Sequence, residues 1–164
     1  MSKRAGGNDN DVLSPDFLDF ITCLNEHAVD VVLVGGYALA IHGVVRATGD
    51  IDFLYRRTKA AVRRLCAAME EFGAPPDVID EDALMTPAMV TQFGMPPHRI
   101  DLLSAIDGVT FEKVWAGATA VTIQGQMIRV IGLAELRTNK ASTGRSKDAE
   151  DVRRLAKRPR RKKR

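Results

Sequence analysis

The sequence has few of the features that mark secreted or membrane proteins. Only two of its 164 residues are cysteines, so a disulfide framework is not expected. No apolar run approaches the roughly 20 residues that cross a bilayer. No apolar segment follows Lys3 and Arg4 to complete a signal peptide. We therefore expect a cytoplasmic protein that does not interact with membranes.

Several common ligand-binding signatures are also missing. The sequence contains no G-x-G-x-x-G of the dinucleotide-binding proteins and no internal repeat. The three histidines, His27, His42 and His98, do not have the spacing of zinc ligands. These absences argue against a Rossmann enzyme, a solenoid and a zinc protein.

The length is that of one domain, and the charge is unevenly distributed along it. Residues 157–164, KRPRRKKR, hold seven of the 24 basic residues, and the remaining 17 stand against 21 acidic residues, a net charge of −4. We expect a flexible N-terminus at 1–11, a folded domain at 12–156 and a basic, disordered tail at 157–164. The tail either solubilises the protein or binds phosphate polyanions such as RNA.

Helical and strand patterns follow each other along the chain and predict an α/β (α+β) fold. Ser14, Pro15 and Asp16 suit a helix start, because a hydroxyl caps, proline fits the first position and an acid favours the positive end. The apolar run Val31–Val34 predicts a buried strand that ends at two glycines. Further strands are predicted at 50–55, 99–104, 120–123 and 127–131, and further helices at 37–42, 58–73, 111–115, 133–140 and 147–157. We expect a mixed, twisted central sheet with flanking helices packed on one side, whereas residues 77–97 show no clear pattern.

Three aspartates lie in predicted core strands. The period of two places Asp50 and Asp52 on the same face of one strand, and Asp101 lies in another apolar strand. Carboxylates in a core repel one another unless a cation neutralises them. Because Mg²⁺ prefers oxygen ligands, these three residues are candidate ligands for Mg²⁺ or Mn²⁺. Salt bridges to Arg46 or Arg99 are the alternative.

The two glycines after the first strand favour phosphate binding. Gly35 and Gly36 join a strand to a predicted helix, where absent side chains and free backbone N–H groups allow a phosphate to approach. Arg46 and Thr48 lie between them and the first aspartates. Arg46 either contacts a phosphate or neutralises the aspartates when no metal is bound. A plain tight turn is the alternative for the glycines.

Residues 34–54, VGGYALAIHGVVRATGDIDFL, resemble the polymerase-β-like minimal nucleotidyltransferases, and in particular the AbiEii-type toxin nucleotidyltransferases and their relatives. The resemblance continues at 99–103, RIDLL, and at 139–151, where an Asn-Lys-Ala is followed by an Arg-x-Lys-Asp-x-x-Asp. Tyr37 stands where related enzymes often have Ser or Thr. The resemblance implies the nucleotidyltransferase fold.

The resemblance also implies a role for each matching residue. Gly35 and Gly36 would hold the triphosphate, and Lys140 would reach its phosphates. Asp50 and Asp52 would bind metal. Asp101 would complete the metal site and act as, or assist, the base. From the residues alone, Asp148 and Asp151 are expected to pair with Lys140 or Arg145 and to order the last helices.

The predicted activity is nucleotidyl transfer of the EC 2.7.7 type, from a nucleoside triphosphate to a hydroxyl acceptor. The resemblance and the basic tail favour RNA, such as a transfer RNA, or a partner protein in a toxin–antitoxin system. Two alternatives stay open: a non-catalytic, antitoxin-like binding module, and a small-molecule nucleotidyltransferase of the antibiotic-modifying kind.

Overall fold

The computed structural model describes residues 13–44 and 49–156. The predicted flexible N-terminus, the basic tail and the segment with Arg46 and Thr48 lie outside the described residues. The helices are α1 (Pro15–Glu26), α2 (Gly35–Ile41), α3 (Lys59–Phe72), α4 (Glu81–Leu84), α5 (Phe111–Gly117), α6 (Leu133–Ser142) and α7 (Ser146–Ala156). The strands are β1 (Val31–Val34), β2 (Asp50–Tyr55), β3 (Val90–Phe93), β4 (Arg99–Leu103), β5 (Thr119–Ile123) and β6 (Gln126–Val130). None of the described helices is long and apolar enough to cross a membrane.

The capping residues set the ends of two long helices as the sequence predicts. The Ser14 hydroxyl accepts a hydrogen bond from the backbone N–H of Phe17 at 3.2 Å, at the start of α1. At α3, the Thr58 hydroxyl accepts from the N–H of Ala61 at 3.2 Å. The helix ends at Gly73, whose φ of 91° is a conformation that residues with a Cβ avoid.

The six strands form one mixed sheet in the order β3-β4-β2-β1-β6-β5. Strand β1 pairs antiparallel with β2 and parallel with β6, and β2 pairs parallel with β4. The two edges are antiparallel pairs, β3 with β4 and β5 with β6. The predicted α/β fold with a mixed central sheet is confirmed.

One face of the sheet is covered by α1 and α3 and is rich in aromatic side chains. The Phe20 ring of α1 is fully buried and lies 5.7 Å from Phe53, 5.2 Å from Phe72 and 5.5 Å from Phe93, measured between ring centroids. The rings meet edge to face, the arrangement that aromatic quadrupoles favour. We call this set of four rings the phenylalanine cluster.

The opposite face of the sheet is also covered, so the expectation of helices on one side only is wrong. Arg129 alternates along β6 with the core residues Ile128 and Val130, and its guanidinium lies 4.0 Å from the centre of the Trp115 ring on α5. The loop between α6 and α7 lies near the aspartates on this same face. Helix packing on the second face depends on contacts distant in sequence, which local patterns do not reveal.

Three local details differ from the predicted elements. Helix α2 begins at Gly35, directly after β1, rather than at residue 37. Residues 77–97 contain part of a short 3₁₀ turn (Pro76–Val78), α4 and β3. The hairpin between β5 and β6 turns on Gln124 and Gly125 alone, with φ of 49° and 84°. Positive φ at both residues is typical of the two-residue turn that matches strand twist.

Candidate active site

Asp52 and Asp101 lie side by side on neighbouring parallel strands. In the β2–β4 register, Asp52 is the direct partner of Asp101, and Asp50 is the direct partner of Arg99. Partners in adjacent strands point to the same face of a sheet, at the strand spacing of about 4.8 Å. The register therefore brings Asp52 and Asp101 together, and Asp50 lies two residues before Asp52 on the same face, as the alternation predicts.

Burial and nearby negative charge together raise the pKa of Asp52. The pKa of its carboxyl is raised from 3.8 to about 7, chiefly by burial, then by the charge of Asp101 and a hydrogen bond to it, and further by Asp50. The positive charge of Lys140 acts in the opposite direction. The protonated form of Asp52 can donate a hydrogen bond to Asp101, whose side chain is only 10% exposed. The pair is thus built to accept either a proton or another cation.

Arg99 neutralises the other side of the carboxylate set. Its Nη2 donates to Asp50 Oδ2 at 2.6 Å, and its Nε donates to Asp101 Oδ1 at 3.1 Å. The salt bridge to Arg99, left open as an alternative by the sequence, is therefore present. The sequence contains a signal for the pairing of Arg99 with Asp101, because residues two positions apart on a strand point to the same face.

Gly35 leaves the space that the Asp52 carboxylate occupies. Val34 is the register partner of Asp52 across β1 and β2, so the turn into α2 passes directly over this side chain. A Cβ built on Gly35 would lie 2.1 Å from Asp52 Oδ2, and the φ of Gly35 is 71°. Only glycine fits here without a shift, on both steric and conformational grounds.

A cleft of about 460 Å³ opens over Gly35, Asp50 and Asp52, whereas Asp101 and Arg99 are not among its lining residues. It joins the glycine turn and the aspartates to the loop after β4 and the α6–α7 corner. Its lining is Val34, Gly35, Gly36, Asp50, Asp52, Leu103, Ala105, Ile106, Asp107, Asn139, Lys140, Thr143, Arg145, Lys147 and Asp148. The Asn139 side chain donates to the Asp107 backbone carbonyl at 2.9 Å and so fixes the loop after β4 to α6. That loop and Thr143 are cleft residues that the sequence reasoning missed, because each is placed by a contact rather than by a motif.

Lys140 faces the cleft but is held by two buried carboxylates. Its Nζ donates to Asp148 at 2.9 Å and lies 3.9 Å from Asp151. Asp148 also accepts from the Thr143 hydroxyl at 2.7 Å and pairs with Arg145 at 3.0 Å, which holds the pKa of Asp148 below its usual range although burial acts against this. The predicted pairing is present: Asp148 pairs with both Lys140 and Arg145, and Asp151 pairs with Lys140.

The chemistry of the donor set fits a small divalent cation. Carboxylate oxygens, which Mg²⁺ prefers as ligands, lie at one edge of the cleft. Because Gly35 has no side chain, its backbone approaches the Asp52 carboxylate closely and leaves room for a ligand in the cleft. Within residues 13–44 and 49–156, however, no group of three or more His, Cys, Asp and Glu side chains is arranged to hold a metal ion. Asp50 accepts a hydrogen bond from Arg99, which also donates to Asp101. Arg46 and Thr48, predicted to contact the nucleotide, lie outside the described residues.

Solved structures similar to this chain are nucleotidyltransferases. One is the candidate nucleotidyltransferase TM1012 of Thermotoga maritima, at 17% identity and a TM-score of 0.59, covering 90% of this chain and 97% of that one. A second is the lincosamide antibiotic adenylyltransferase LnuA with lincomycin bound, at 12% identity and a TM-score of 0.58, covering 89% and 98%. A third is the antibiotic-resistance factor ANT(2″)-Ia, at 14% identity and a TM-score of 0.55, covering 86% and 80%. These likenesses show the fold.

No curated protein matches the chain significantly. The AbiEii-type resemblance gains no support from these comparisons beyond the broader class. A family match covers residues 14–164, which is nearly the whole chain and includes every site residue described above. The chain belongs to the family described as nucleotidyl transferase of unknown function (DUF2204).

Proposed function

We propose that this nucleotidyltransferase moves a nucleoside monophosphate from a nucleoside triphosphate to a hydroxyl acceptor, a reaction of the EC 2.7.7 type. The acceptor oxygen attacks the α-phosphorus, the bond from the α-phosphorus to the bridging oxygen breaks, and pyrophosphate leaves. The hydroxyl proton passes to the Asp52–Asp101 pair. The observation that carries the proposal is the register that places Asp52 beside Asp101, under a glycine turn and at the edge of a cleft.

Asp50, Asp52 and Asp101 are proposed to hold Mg²⁺ or Mn²⁺. Such an ion, when bound, supplies electrostatic stabilisation of the charge that develops on the phosphate and on the leaving group. The chain's own contribution is positional. The two strands fix Asp52 and Asp101 relative to the turn at Gly35, so that these two carboxylates are already in position when substrate arrives.

The triphosphate is proposed to lie between the turn at Gly35 and Gly36 and the side chain of Lys140. The glycines allow close approach of their backbone, and Lys140 offers three donors from the opposite wall of the cleft. Asp148 keeps the Lys140 ammonium in place before substrate arrives. Arg46 and Thr48 remain predicted contributors from the sequence.

Calorimetry with a nonhydrolysable triphosphate tests the binding step. We expect binding only when Mg²⁺ or Mn²⁺ is present, since the aspartates otherwise repel the phosphates. Equal affinity with and without metal would contradict the arrangement. Metal-dependent binding without transfer to any acceptor would instead support the non-catalytic, antitoxin-like alternative.

RNA, such as a transfer RNA, is the acceptor that we propose first, because residues 157–164 carry seven positive charges. Incubation with each labelled triphosphate, Mg²⁺ and total RNA should label an RNA species. Truncation after residue 156 should weaken RNA binding chiefly at low salt and leave metal binding intact. A partner protein as acceptor, and a place in a toxin–antitoxin system, remain predictions that the same assay with cell lysate protein would test.

A small hydroxyl compound is the second candidate acceptor. LnuA, bound to lincomycin, aligns with this chain over 98% of its own length, so the shared unit is nearly the whole of a small-molecule adenylyltransferase. The cleft of about 460 Å³ lies within the range of small-molecule sites. Transfer to aminoglycosides or lincosamides, with no labelling of RNA, would favour this candidate over RNA.

A further inference from the structure

Arg99 occupies a position that the sheet register dictates. It is the strand partner of Asp50 and lies two residues before Asp101, so its guanidinium reaches both carboxylates from one backbone position. Both contacts are charge-assisted hydrogen bonds. A fixed positive charge therefore lies among the residues that are proposed to bind a divalent cation.

We propose that Arg99 is a positioning residue that acts as an internal competitor for the divalent cation. In the metal-free protein it occupies one oxygen of Asp50 and one of Asp101, and it releases Asp50 when the ion binds. This inference rests on the proposed function. Its consequence is that these carboxylate oxygens become available to the ion only when the metal concentration is high enough to displace Arg99.

Three observations support an exchange of cations. The described residues contain no ready-made group of three or more metal-binding side chains, although three aspartates lie on one sheet face. Asp50 Oδ2 is only 2.6 Å from Arg99 Nη2 and Asp101 Oδ1 is 3.1 Å from Arg99 Nε, so the guanidinium already occupies one oxygen of each carboxylate. The side chains of Arg99 and Asp50 are each 33% exposed, so Arg99 can swing into water without losing its solvation.

Electrostatics favours one cation or the other, but not both. Two positive charges within a few ångströms repel each other, and this repulsion is strong where water is partly excluded. Asp101, whose side chain is 10% exposed, stays close to Asp52 in either state because both are fixed by the strand register. Asp50, at the exposed edge, is the ligand that is free to change partner.

Arg56, which lies outside the cleft, provides a matched control for Arg99. It follows β2 immediately and bridges two carboxylates as Arg99 does, with its Nε 2.8 Å from Asp30 and its Nη1 2.5 Å from Glu112. Its side chain is comparably buried, at 24% exposure. Neither of its partners lines the cleft. Loss of Arg56 therefore reproduces the loss of a bridging arginine without touching the proposed site.

The test measures Mn²⁺ affinity by calorimetry at pH 8, without nucleotide, for the wild type, Arg99→Gln and Arg56→Gln. Arg99→Gln should bind Mn²⁺ about tenfold more tightly than the wild type, because two half-exposed ion pairs no longer compete with the metal. Arg56→Gln should bind with wild-type affinity. The melting temperature without metal should fall in both variants, and Mn²⁺ should restore it fully only in Arg99→Gln.

The outcomes separate this inference from the proposed function. Equal Mn²⁺ affinity in the wild type and Arg99→Gln would overturn the competition while leaving the metal site in place. Absence of Mn²⁺ binding in both would overturn the competition together with the metal-dependent activity. Binding detected only in Arg99→Gln would support the competition directly.

A second measurement on the wild-type protein covers the case in which Arg99→Gln does not fold. The Arg99 side-chain Nε–H resonance, identified by its loss in Arg99→Lys, should be protected from solvent exchange without metal and should broaden or shift when Mg²⁺ is added. An Arg99 resonance that is unaffected by saturating Mg²⁺ would show that Arg99 keeps its partners, and would overturn the proposal.

Discussion

The two faces of strand β2 carry opposite physical properties within six residues. Phe53, on one face, is fully buried in the phenylalanine cluster against α1 and α3. Asp52, one position earlier, faces the cleft, and burial together with the neighbouring carboxylates raises its pKa to about 7. The first face gains free energy from burial, and the second holds like charges together at a cost. Alternate residues of one strand thus divide stability from chemistry.

The buried face of β2 explains how the fold tolerates several neighbouring carboxylates on the other face. A domain has only about 5–15 kcal/mol of net stability, so a group of repelling acids needs compensation elsewhere. The phenylalanine cluster and the buried strands provide it on the other side of the same backbone. Substitutions on the buried face should therefore change mainly the free energy of unfolding, and substitutions on the carboxylate face should change mainly the transfer activity.

The largest expected effect is on stability, from Phe20→Ala. Removing the ring that contacts the other three phenylalanines should lower the free energy of unfolding by about 3–5 kcal/mol, through lost burial and a cavity. Urea denaturation measures it, with Phe20→Leu as a milder control. Mn²⁺ affinity of the folded fraction should not change. A decrease in the free energy of unfolding of less than about 1 kcal/mol would show that the phenylalanine cluster is not the main source of stability on this face.

Asp101→Asn should reverse the pattern, with a large effect on activity and a small one on stability. We expect transfer to fall about a hundredfold to a thousandfold, because an amide no longer balances the metal or accepts the proton. Stability should change by less than about 1 kcal/mol, since relief of repulsion with Asp52 offsets the lost bond from Arg99. Melting temperature and transfer rate are measured on the same preparation. Activity that simply follows the folded fraction would make Asp101 structural.

Gly35→Ala tests the contact between the glycine turn and the carboxylate face. The new methyl group would meet Asp52 Oδ2, so we expect a loss of about 2 kcal/mol, including about 1 kcal/mol for the positive φ. Gly125→Ala is the matched control, because its φ is 84° and a Cβ there would meet no atom within 4 Å. In an Asp52→Ala background the cost of Gly35→Ala should fall toward that of the control, since only the contact with the Cβ of residue 52, at 3.1 Å, is left. Equal costs in both backgrounds would show that Asp52 does not limit residue 35.

The smallest effect is the dependence of stability on pH. The folded-state pKa of Asp52, about 7, exceeds its ordinary value of 3.8, so the folded protein binds this proton more tightly than the unfolded chain. That contribution is complete below about pH 4 and is lost as the pH rises through 7. Without metal, stability should therefore fall by about 1–2 kcal/mol between pH 5 and pH 8.

Asp52→Asn is the control for this pH dependence, because an amide does not titrate. Its unfolding free energy should vary less over the same range and should exceed that of the wild type at pH 8. Thermal unfolding in metal-free buffers at several pH values measures both proteins. Parallel curves for the two proteins would place the pH dependence on other groups.

Much of the fold follows from local signals that the sequence displays. Helix α1 begins at the predicted cap because Ser14 and Pro15 act within one turn of the chain. Strand β2 has the predicted bounds because its apolar and acidic residues alternate with a period of two. Residues 77–97 gave no prediction because their short elements depend on tertiary contacts, such as the Tyr55 hydroxyl that donates to the carbonyl of Leu84 at 2.7 Å.

The sequence indicated which residues are candidates for the site, but it indicated only part of how these residues are arranged. Alternation indicates that Asp50 and Asp52 share a face, but the pairing of Asp52 with Asp101 depends on a register between strands 49 residues apart in sequence. The choice of Arg99 as partner of Asp50 depends on side-chain geometry within that register. The sequence motif that contains Lys140 also contains Asp148, to which Lys140 donates in the structure. The motif alone therefore does not distinguish a phosphate contact of Lys140 from this ion pair.

The parallel register of β2 and β4 has a consequence for how such a protein diversifies. Residues 56–89 leave the sheet after β2 and return at β3, which pairs with β4, so the length of this segment does not affect which residues of β2 and β4 are strand partners. Insertions or deletions in this excursion would preserve the pairing of Asp52 with Asp101, provided that the strands themselves are intact. The segment is thus a place where a lineage can acquire new surface while its chemistry stays the same. Insertion of a single residue before Asp52 in β2, or before Asp101 in β4, would instead turn that carboxylate to the opposite face of the sheet.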